Sequence, residues 1–205
     1  MSVAKCDLAP PKDVTLGAKS VMGAIDFDPY STKQINTLVE AARFYDRELY
    51  TLEDIVSKEW DAPLQKRAFI GAPAGAVLTR RLLNKTLKEY RKGNINQAIL
   101  WLAHNEALIR SPWIWDFPVC IPFKRLRPCW YDDELDVYRT VAPADWSAIF
   151  FLPPPSPPAL FHSAVSRFNN AFNPIGRIVF NEYSGDSDWE KSYKVANKKP
   201  YNYHS

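Results

Sequence analysis

The sequence predicts an α/β fold, in which one sheet carries helices on both faces. Two observations predict it. Short apolar runs typical of buried strands alternate along the chain with segments whose apolar residues recur at helical spacing. The chain of 205 residues, 46% of them hydrophobic, suits one domain with a sizeable core. We therefore assign residues 21–180 to one domain, residues 1–20 to an N-terminal extension, and residues 181–205 to a polar, loosely ordered tail.

In the first half of the chain, predicted strands and helices alternate. The run Val21–Asp28 predicts a strand that ends in two acids. Ser31 is then the expected N-cap of an amphipathic helix that reaches about Phe44. The less regular stretch over residues 43–61 is expected to hold one short strand or helix, and Ala68–Ile70 predicts a brief strand. Leucines at helical spacing predict a long helix over Val77–Lys92.

The second half continues the alternation. The continuous apolar run Ala98–Leu102 is typical of a strand that is buried on both faces. Pro118–Ile121 and Ser147–Leu152 predict two further strands. Leu160–Phe172 carries phenylalanines at helical spacing, which predicts a helix, and Ile175–Phe180 predicts the last strand. No internal repeat is evident.

The composition argues against several classes of protein. The formal charge of +3 permits a nucleic-acid partner without requiring one. No run approaches the roughly 18 apolar residues of a membrane span, and the first residues lack the apolar core of a signal peptide. The three cysteines are widely spaced and form no C-x-x-C pair, which is typical of a reducing compartment and argues against a zinc site. We therefore expect a cytoplasmic protein without a metal or a membrane partner.

Proline is unusually frequent, with 17 residues against 7 glycines. Five prolines lie between Pro153 and Pro158 and predict a loop or a polyproline II segment. Such a segment is either a connection stiffened by proline or a binding surface for another protein.

The motifs, taken in order, resemble those of the phage-type DNA N-6-adenine methyltransferases over roughly residues 23–180. Their order and spacing carry the resemblance, because each motif is weak by itself. The motifs are IDFDP at Ile25–Pro29, RFYD at Arg43–Asp46, KEWD at Lys58–Asp61, FIGAPAG at Phe69–Gly75, then AILWLAHNE, FPVCIPFKRLR, SAIFFLP and GRIVF. The resemblance implies a Rossmann-like methyltransferase sheet, S-adenosylmethionine as the cofactor and DNA as the substrate.

The FIGAPAG loop departs from the family at its reactive positions. Active relatives have Asn-Pro-Pro-Tyr, in which the amide orients the adenine amino group and the aromatic ring stacks on a flipped base. Here Gly71, Ala72, Pro73 and Ala74 stand at these positions. The amide and the ring are both absent, so the resemblance implies a degenerate loop that transfers methyl groups poorly or not at all.

The cofactor residues that the resemblance implies are Asp26, Asp28 and Pro29. A carboxylate at this strand end would accept hydrogen bonds from ribose hydroxyls or from the methionine ammonium group. The alternative is that Asp28 only begins a turn before Pro29. The family-like pocket also has Tyr30 beside it, which would obstruct a cofactor if its ring pointed inward.

A basic segment follows the strand that ends at Ile121. Lys124, Arg125 and Arg127 are candidates for contacts with DNA phosphates, and Trp130 and Tyr131 lie close enough in sequence to support a backbone or a base. The acids between residues 132 and 136 argue against this interpretation. The alternative for these cations is a solvated surface.

Two functions therefore stay open. The first is a DNA N-6-adenine methyltransferase-like pseudoenzyme that acts by binding DNA, S-adenosylmethionine or both. The second is a phage or plasmid accessory protein that binds another protein through an aromatic and proline-rich surface.

Overall fold

A computed structural model describes residues 8–60, 66–72, 75–104, 108–143, 146–155 and 158–179. The elements alternate as the sequence predicts. The helices are α1 (Lys12–Met22), α2 (Lys33–Val39), α3 (Leu52–Ser57), α4 (Ala76–Lys92) and α5 (Pro158–Phe172), with a 3-10 helix at Pro112–Asp116. The strands are β1 (Phe27–Ser31), β2 (Arg43–Asp46), β3 (Arg67–Ala72), β4 (Gln97–Leu102), β5 (Val119–Pro122), β6 (Cys129–Asp132), β7 (Val137–Thr140), β8 (Ala148–Leu152) and β9 (Gly176–Val179).

Seven strands form one mixed sheet in the order β2-β1-β3-β4-β8-β5-β9. β1 to β4 run parallel, β8 is antiparallel to β4, and β5 is antiparallel to β8. β5 therefore runs in the same direction as β4. We call the side of the sheet where β1, β3, β4 and β5 end the carboxyl edge, and the opposite side the amino edge.

Helices cover both faces of the sheet, each with its own apolar core. On one face, side chains of α3, α4 and the 3-10 helix pack against alternate residues of the strands. On the other face, α1, α2 and α5 pack against the remaining residues. β4 is central and every one of its side chains is buried. This arrangement confirms the predicted fold class, an α/β Rossmann-like sheet flanked by helices.

Several predicted elements are confirmed. The long helix ends where the sequence indicates, since Gly93 adopts φ 74° and caps α4 in the left-handed region. β3, β4, β5, β8, β9 and α5 lie within two residues of their predicted ranges.

The strand predicted at Val21–Asp28 is wrong over most of its length. The first part of Val21–Asp28 is helical, because α1 continues to Met22 and β1 begins only at Phe27. α1 also occupies part of the segment assigned to an N-terminal extension, and it packs against α5. Gly17 permits this close contact, since a Cβ there would lie 2.6 Å from the ring of Phe172.

The next helix is also shorter than predicted. Thr32, not Ser31, is its N-cap, because the Thr32 hydroxyl accepts a hydrogen bond from Ile35 N at 3.1 Å. The helix stops at Val39, where Glu40 takes a left-handed conformation with φ 57°. Phe44, its predicted end, lies in β2 instead.

The irregular stretch over residues 43–61, where one short strand or helix is expected, holds both the strand β2 and the helix α3. The hairpin β6–β7 was not predicted from the sequence. β6 and β7 form a separate two-stranded sheet, which is joined to the chain start by a bridge between Ala9 and Cys129. The predicted tail, residues 181–205, lies outside the described residues.

Candidate functional site

The carboxyl edge has a point where the chain reverses its direction of travel across the sheet. From β1 the chain moves to β2 on one side, and then to β3 on the other side of β1. In open α/β sheets, ligands bind beyond the carboxyl ends of the strands at such a switch point. The fold thus brings the segments around Pro29 and Gly71 onto neighbouring strands at this edge. We call the ends of β1 and β3 the switch point.

Gly71 lies directly beneath the beginning of the described chain. A Cβ at this position would come within 2.9 Å of Pro10 Cγ, closer than real Cβ contacts are found. The Pro10 segment is fixed by two hydrogen bonds between Ala9 and Cys129, of 2.6 and 3.0 Å. The chain itself therefore occupies the space that an asparagine side chain would need at position 71. Ala72 is buried, while Pro73 and Ala74 lie outside the described residues.

The structure places Asp26 at the amino edge, away from the switch point. Its carboxylate is 1% exposed and binds the Arg67 guanidinium through two hydrogen bonds of 2.7 and 2.8 Å. The backbone N of Arg67 donates a third, at 2.9 Å. These bonds raise the pKa of Arg67, so its guanidinium stays charged. Asp26 thus joins the beginnings of β1 and β3, a structural role that leaves no free oxygen for a cofactor.

Asp28 and Pro29 do lie near the switch point, but both are buried. The Asp28 carboxylate accepts a hydrogen bond from Tyr30 N at 3.0 Å, which is the geometry of a turn closed by its own aspartate. The pairing of β1 with β2 shifts register between Asp28 and Ser31. Burial raises the pKa of Asp28 to about 6, although Tyr30, the Ser31 hydroxyl and Arg47 oppose the shift. The turn that the sequence offered as an alternative is therefore present.

Tyr30 is half-buried and packs against the core on the α4 face. The guanidinium of Arg47 lies over its ring, 5.3 Å from the centroid. A cation over an aromatic face is attracted by the ring quadrupole. The ring therefore takes part in core packing at the end of β1.

Several buried polar atoms near the carboxyl edge have no hydrogen-bond partner within the described part of the chain. Trp101 Nε1 lies near the end of β4, and Ser147 Oγ lies just before β8 on the neighbouring strand. Thr79 Oγ1, His104 Nδ1 and Ser111 Oγ belong to elements that follow β3 and β4. Sequence reasoning gave none of these atoms a binding role, because the runs that contain Trp101, His104 and Ser147 predict only strands and their ends.

The predicted DNA-binding residues lie at the same edge, beyond the end of β5. We call residues 123–127 the basic turn. Lys124, Arg125 and Arg127 are all exposed. Arg177 of β9, the neighbour of Ile121, adds a fourth exposed cation that sequence reasoning missed. Within the described residues, none of these four side chains has an ion-pair partner.

The acids that follow the basic turn are held away from it. Asp132 ends β6, and the other acids lie in the tip of the hairpin between β6 and β7. The length of β6, roughly 13 Å, separates them from the basic turn. Asp132 pairs with Arg139 at 2.6 Å, and the Tyr131 hydroxyl bonds Asp136. The predicted aromatic support also differs, because Trp130 and Tyr131 are half-buried while Phe123 is 70% exposed.

The described residues offer little chemistry of other kinds. No group of three or more His, Cys, Asp or Glu side chains in this part of the chain is arranged to hold a metal ion. Cys120 and Cys129 are buried thiols, and burial raises the pKa of Cys120 to about 12. A protonated thiol is a poor nucleophile. Likewise, no helix in the described ranges is long and apolar enough to cross a membrane.

Comparison of the chain with protein-family models, with curated proteins and with solved structures finds no significant match. The function of the protein must therefore be inferred from its residues and their geometry.

Proposed function

We propose that this protein binds nucleic acid, as a DNA N-6-adenine methyltransferase-like protein without methyl-transfer chemistry. The observation that carries the proposal is the basic turn. Three exposed cations within four residues, joined by Arg177 from the next strand, lie at the carboxyl edge with no acidic partner in the described chain. Lysine and arginine in such positions neutralise phosphates and release counterions, which provides most of the affinity of nonspecific binding.

The position of the basic turn supports a nucleic-acid ligand that follows the carboxyl edge. Three strand spacings separate β5 from β3, which amounts to roughly 14 Å. A bound strand can therefore contact the basic turn and lie within reach of the switch point. This is the arrangement that the resemblance implies for an enzyme acting on DNA.

The switch point supports binding without catalysis. The amide that active relatives use is replaced by Gly71, and Pro10 occupies the neighbouring space. The Asp26 carboxylate is bound to Arg67, and the Asp28 carboxylate is buried within its own turn. These contacts leave neither an amide acceptor at position 71 nor an accessible carboxylate at Asp26 or Asp28 for S-adenosylmethionine.

The experiment is a titration of fluorescent DNA at several salt concentrations. Each phosphate contact contributes about 0.9 to the slope of log affinity against log salt for duplex DNA. The triple variant Lys124→Ala/Arg125→Ala/Arg127→Ala should therefore lower the slope by about two to three units, with an unchanged circular dichroism spectrum.

A charge-matched pair of variants separates a local contact from the effect of net charge. Lys124→Ala/Arg125→Ala and Lys88→Ala/Lys92→Ala each remove two exposed cations, but the second pair lies near the amino end of the sheet, at the end of α4. Only the first pair should weaken binding strongly. Equal effects, or no binding by the parent protein, would contradict the proposal.

A second candidate, a protein-binding accessory role, is favoured by one observation. Trp115 in the 3-10 helix is 44% exposed and lies edge-on against Phe150. The proline run contributes less, because Pro153 is buried and its carbonyl accepts a hydrogen bond from the Tyr90 hydroxyl. The protein-binding role becomes the better-supported function if the parent protein binds no DNA at low salt.

A further inference from the structure

One phenylalanine of this chain is solvent-exposed within the described residues. Phe123 is 70% exposed, while Phe27, Phe69, Phe150, Phe151, Phe168 and Phe172 are fully buried. It is the first residue of the basic turn and directly precedes Lys124. A large apolar ring at this position contributes little to the core. It is instead available to contact a bound molecule.

The ring stands on a firmly held backbone. Phe123 N donates a hydrogen bond to Ile175 O at 3.1 Å, and the residue before it, Pro122, is paired with Gly176. On the far side of the turn, Leu126 is 7% exposed and packs into the core of the α1 face. The basic turn is thus anchored at both ends. A ring on an anchored turn binds with less loss of conformational entropy than one on a loose loop.

The charges around Phe123 select the chemistry of its partner. Lys124, Arg125 and Arg127 share its turn, and Arg177 lies on the neighbouring strand. The acids of the hairpin lie at the other end of β6 and do not offset these cations. The charge of Asp13 in α1 is balanced by Lys12 in the first turn of the same helix. One exposed ring among several cations matches a ligand that offers flat π-faces and phosphates in regular succession.

We propose that Phe123 stacks on an unpaired base, and that the ligand of the basic turn is single-stranded DNA in preference to duplex. This rests on the proposed function and narrows its substrate class. In a duplex the base faces are already stacked on one another, so the ring finds a partner only where bases are unpaired. Proteins that bind single strands combine a cationic groove with aromatic side chains in this way.

The test compares three fluorescent ligands of equal length at one low salt concentration. These are an oligothymidylate, a duplex, and a single-stranded chain of abasic sugar phosphates. The protein variants are Phe123→Ala, Phe123→Trp, and, as a control, Leu160→Ala. This control truncates an apolar side chain that is 52% exposed near the beginning of α5, which follows β8 and therefore begins towards the amino edge. Thermal unfolding of each variant confirms that the fold is intact.

We expect the parent to bind oligothymidylate most tightly. Phe123→Ala should weaken this binding by about 5- to 150-fold, the range for loss of one stacked base, with an unchanged salt slope. Phe123→Trp should restore the affinity, and Leu160→Ala should have no effect. On the abasic chain, Phe123→Ala and the parent should bind equally, since no base is present to stack.

Two results would overturn the inference while leaving the proposed function intact. One is salt-dependent binding that Phe123→Ala does not change. The other is an equal loss on oligothymidylate and on the abasic chain, which would show that the ring only shapes the turn. If the folded parent binds none of the three ligands, the proposed function itself fails, and a protein becomes the better partner for the exposed ring.

Discussion

The Asp28→Asn substitution tests the electrostatics of the switch point. Asp28 is 1% exposed, and its carboxylate oxygen accepts a hydrogen bond from Tyr30 N at 3.0 Å. An asparagine oxygen accepts the same bond, so the turn around Pro29 is retained. What the substitution removes is the charge. Burial of that charge raises the pKa of Asp28 from its ordinary 3.8 to about 6.

The sign of the effect depends on the pH at which Asp28 loses its proton in the unfolded and in the folded protein. The unfolded chain ionises Asp28 near pH 3.8, whereas the folded chain keeps the proton until about pH 6. The contribution of Asp28 to stability is therefore full below pH 3.8 and is lost as the pH rises to about 6. Two pKa units correspond to about 3 kcal/mol. The Asp28→Asn variant lacks this loss and should exceed the parent in stability above pH 6 by up to about 3 kcal/mol.

Urea unfolding between pH 4 and pH 7.5 measures the effect, with the fluorescence of the seven tryptophans as the signal. Other carboxylates titrate equally in both proteins, so the difference between variant and parent isolates Asp28. Asp133→Asn, which removes an exposed carboxylate from the tip of the hairpin, is the control. A difference for Asp28→Asn that does not grow with pH would refute the reasoning, since it would show that the folded protein ionises Asp28 normally.

Four further outcomes are expected. Trp101→Ala, at a site 1% exposed in β4, should lower the free energy of unfolding by about 3–5 kcal/mol in urea titrations, and an unchanged midpoint would contradict its burial. Asp26→Ala leaves the partly buried Arg67 side chain, 12% exposed, without its partner and should cost up to about 3 kcal/mol, most of which Asp26→Leu/Arg67→Met should recover. Incubation with labelled S-adenosylmethionine should not label duplex DNA that holds all short adenine contexts, and incorporation above a no-enzyme control would show that other groups supply the chemistry. Gly71→Asn should gain no activity, because the new side chain would collide with Pro10. Calorimetric titration with S-adenosylmethionine should give no saturable heat, and a stoichiometric isotherm would show a cofactor pocket.

The fold was predictable where one periodicity dominates the sequence. The leucines of α4 and the continuous apolar run of β4 each specify one element, and both are present. α1 was not recognised, since Gly17 interrupts its helical pattern and the apolar residues of Val21–Asp28 suit a strand equally well. Gly17 is required there by the contact of α1 with Phe172 of α5, and that contact joins residues far apart in sequence.

The sequence predicts which residues lie near the candidate site, but not which groups they contact. The sequence identifies Asp26 and Asp28 as acids near a strand end, yet it does not show that Arg67, 41 residues away, occupies the first of them. The sequence likewise shows that position 71 is glycine where active relatives have asparagine, but it does not show why. The reason is a close approach of Pro10, because only glycine leaves room for that ring.

The two parts of the carboxyl edge have opposite characters, and this decides where binding is to be sought. At the switch point, the groups that would contact a ligand are already satisfied by the chain: Pro10 covers Gly71, and Tyr30 N bonds Asp28. Beyond β5, by contrast, Phe123 and its neighbouring cations are exposed and have no partner within the described residues. A bound molecule gains free energy from groups that the free protein leaves in water, and it gains little from groups that are already paired. We therefore propose the basic turn, and not the loop that resembles a catalytic motif, as the place where this fold binds a partner.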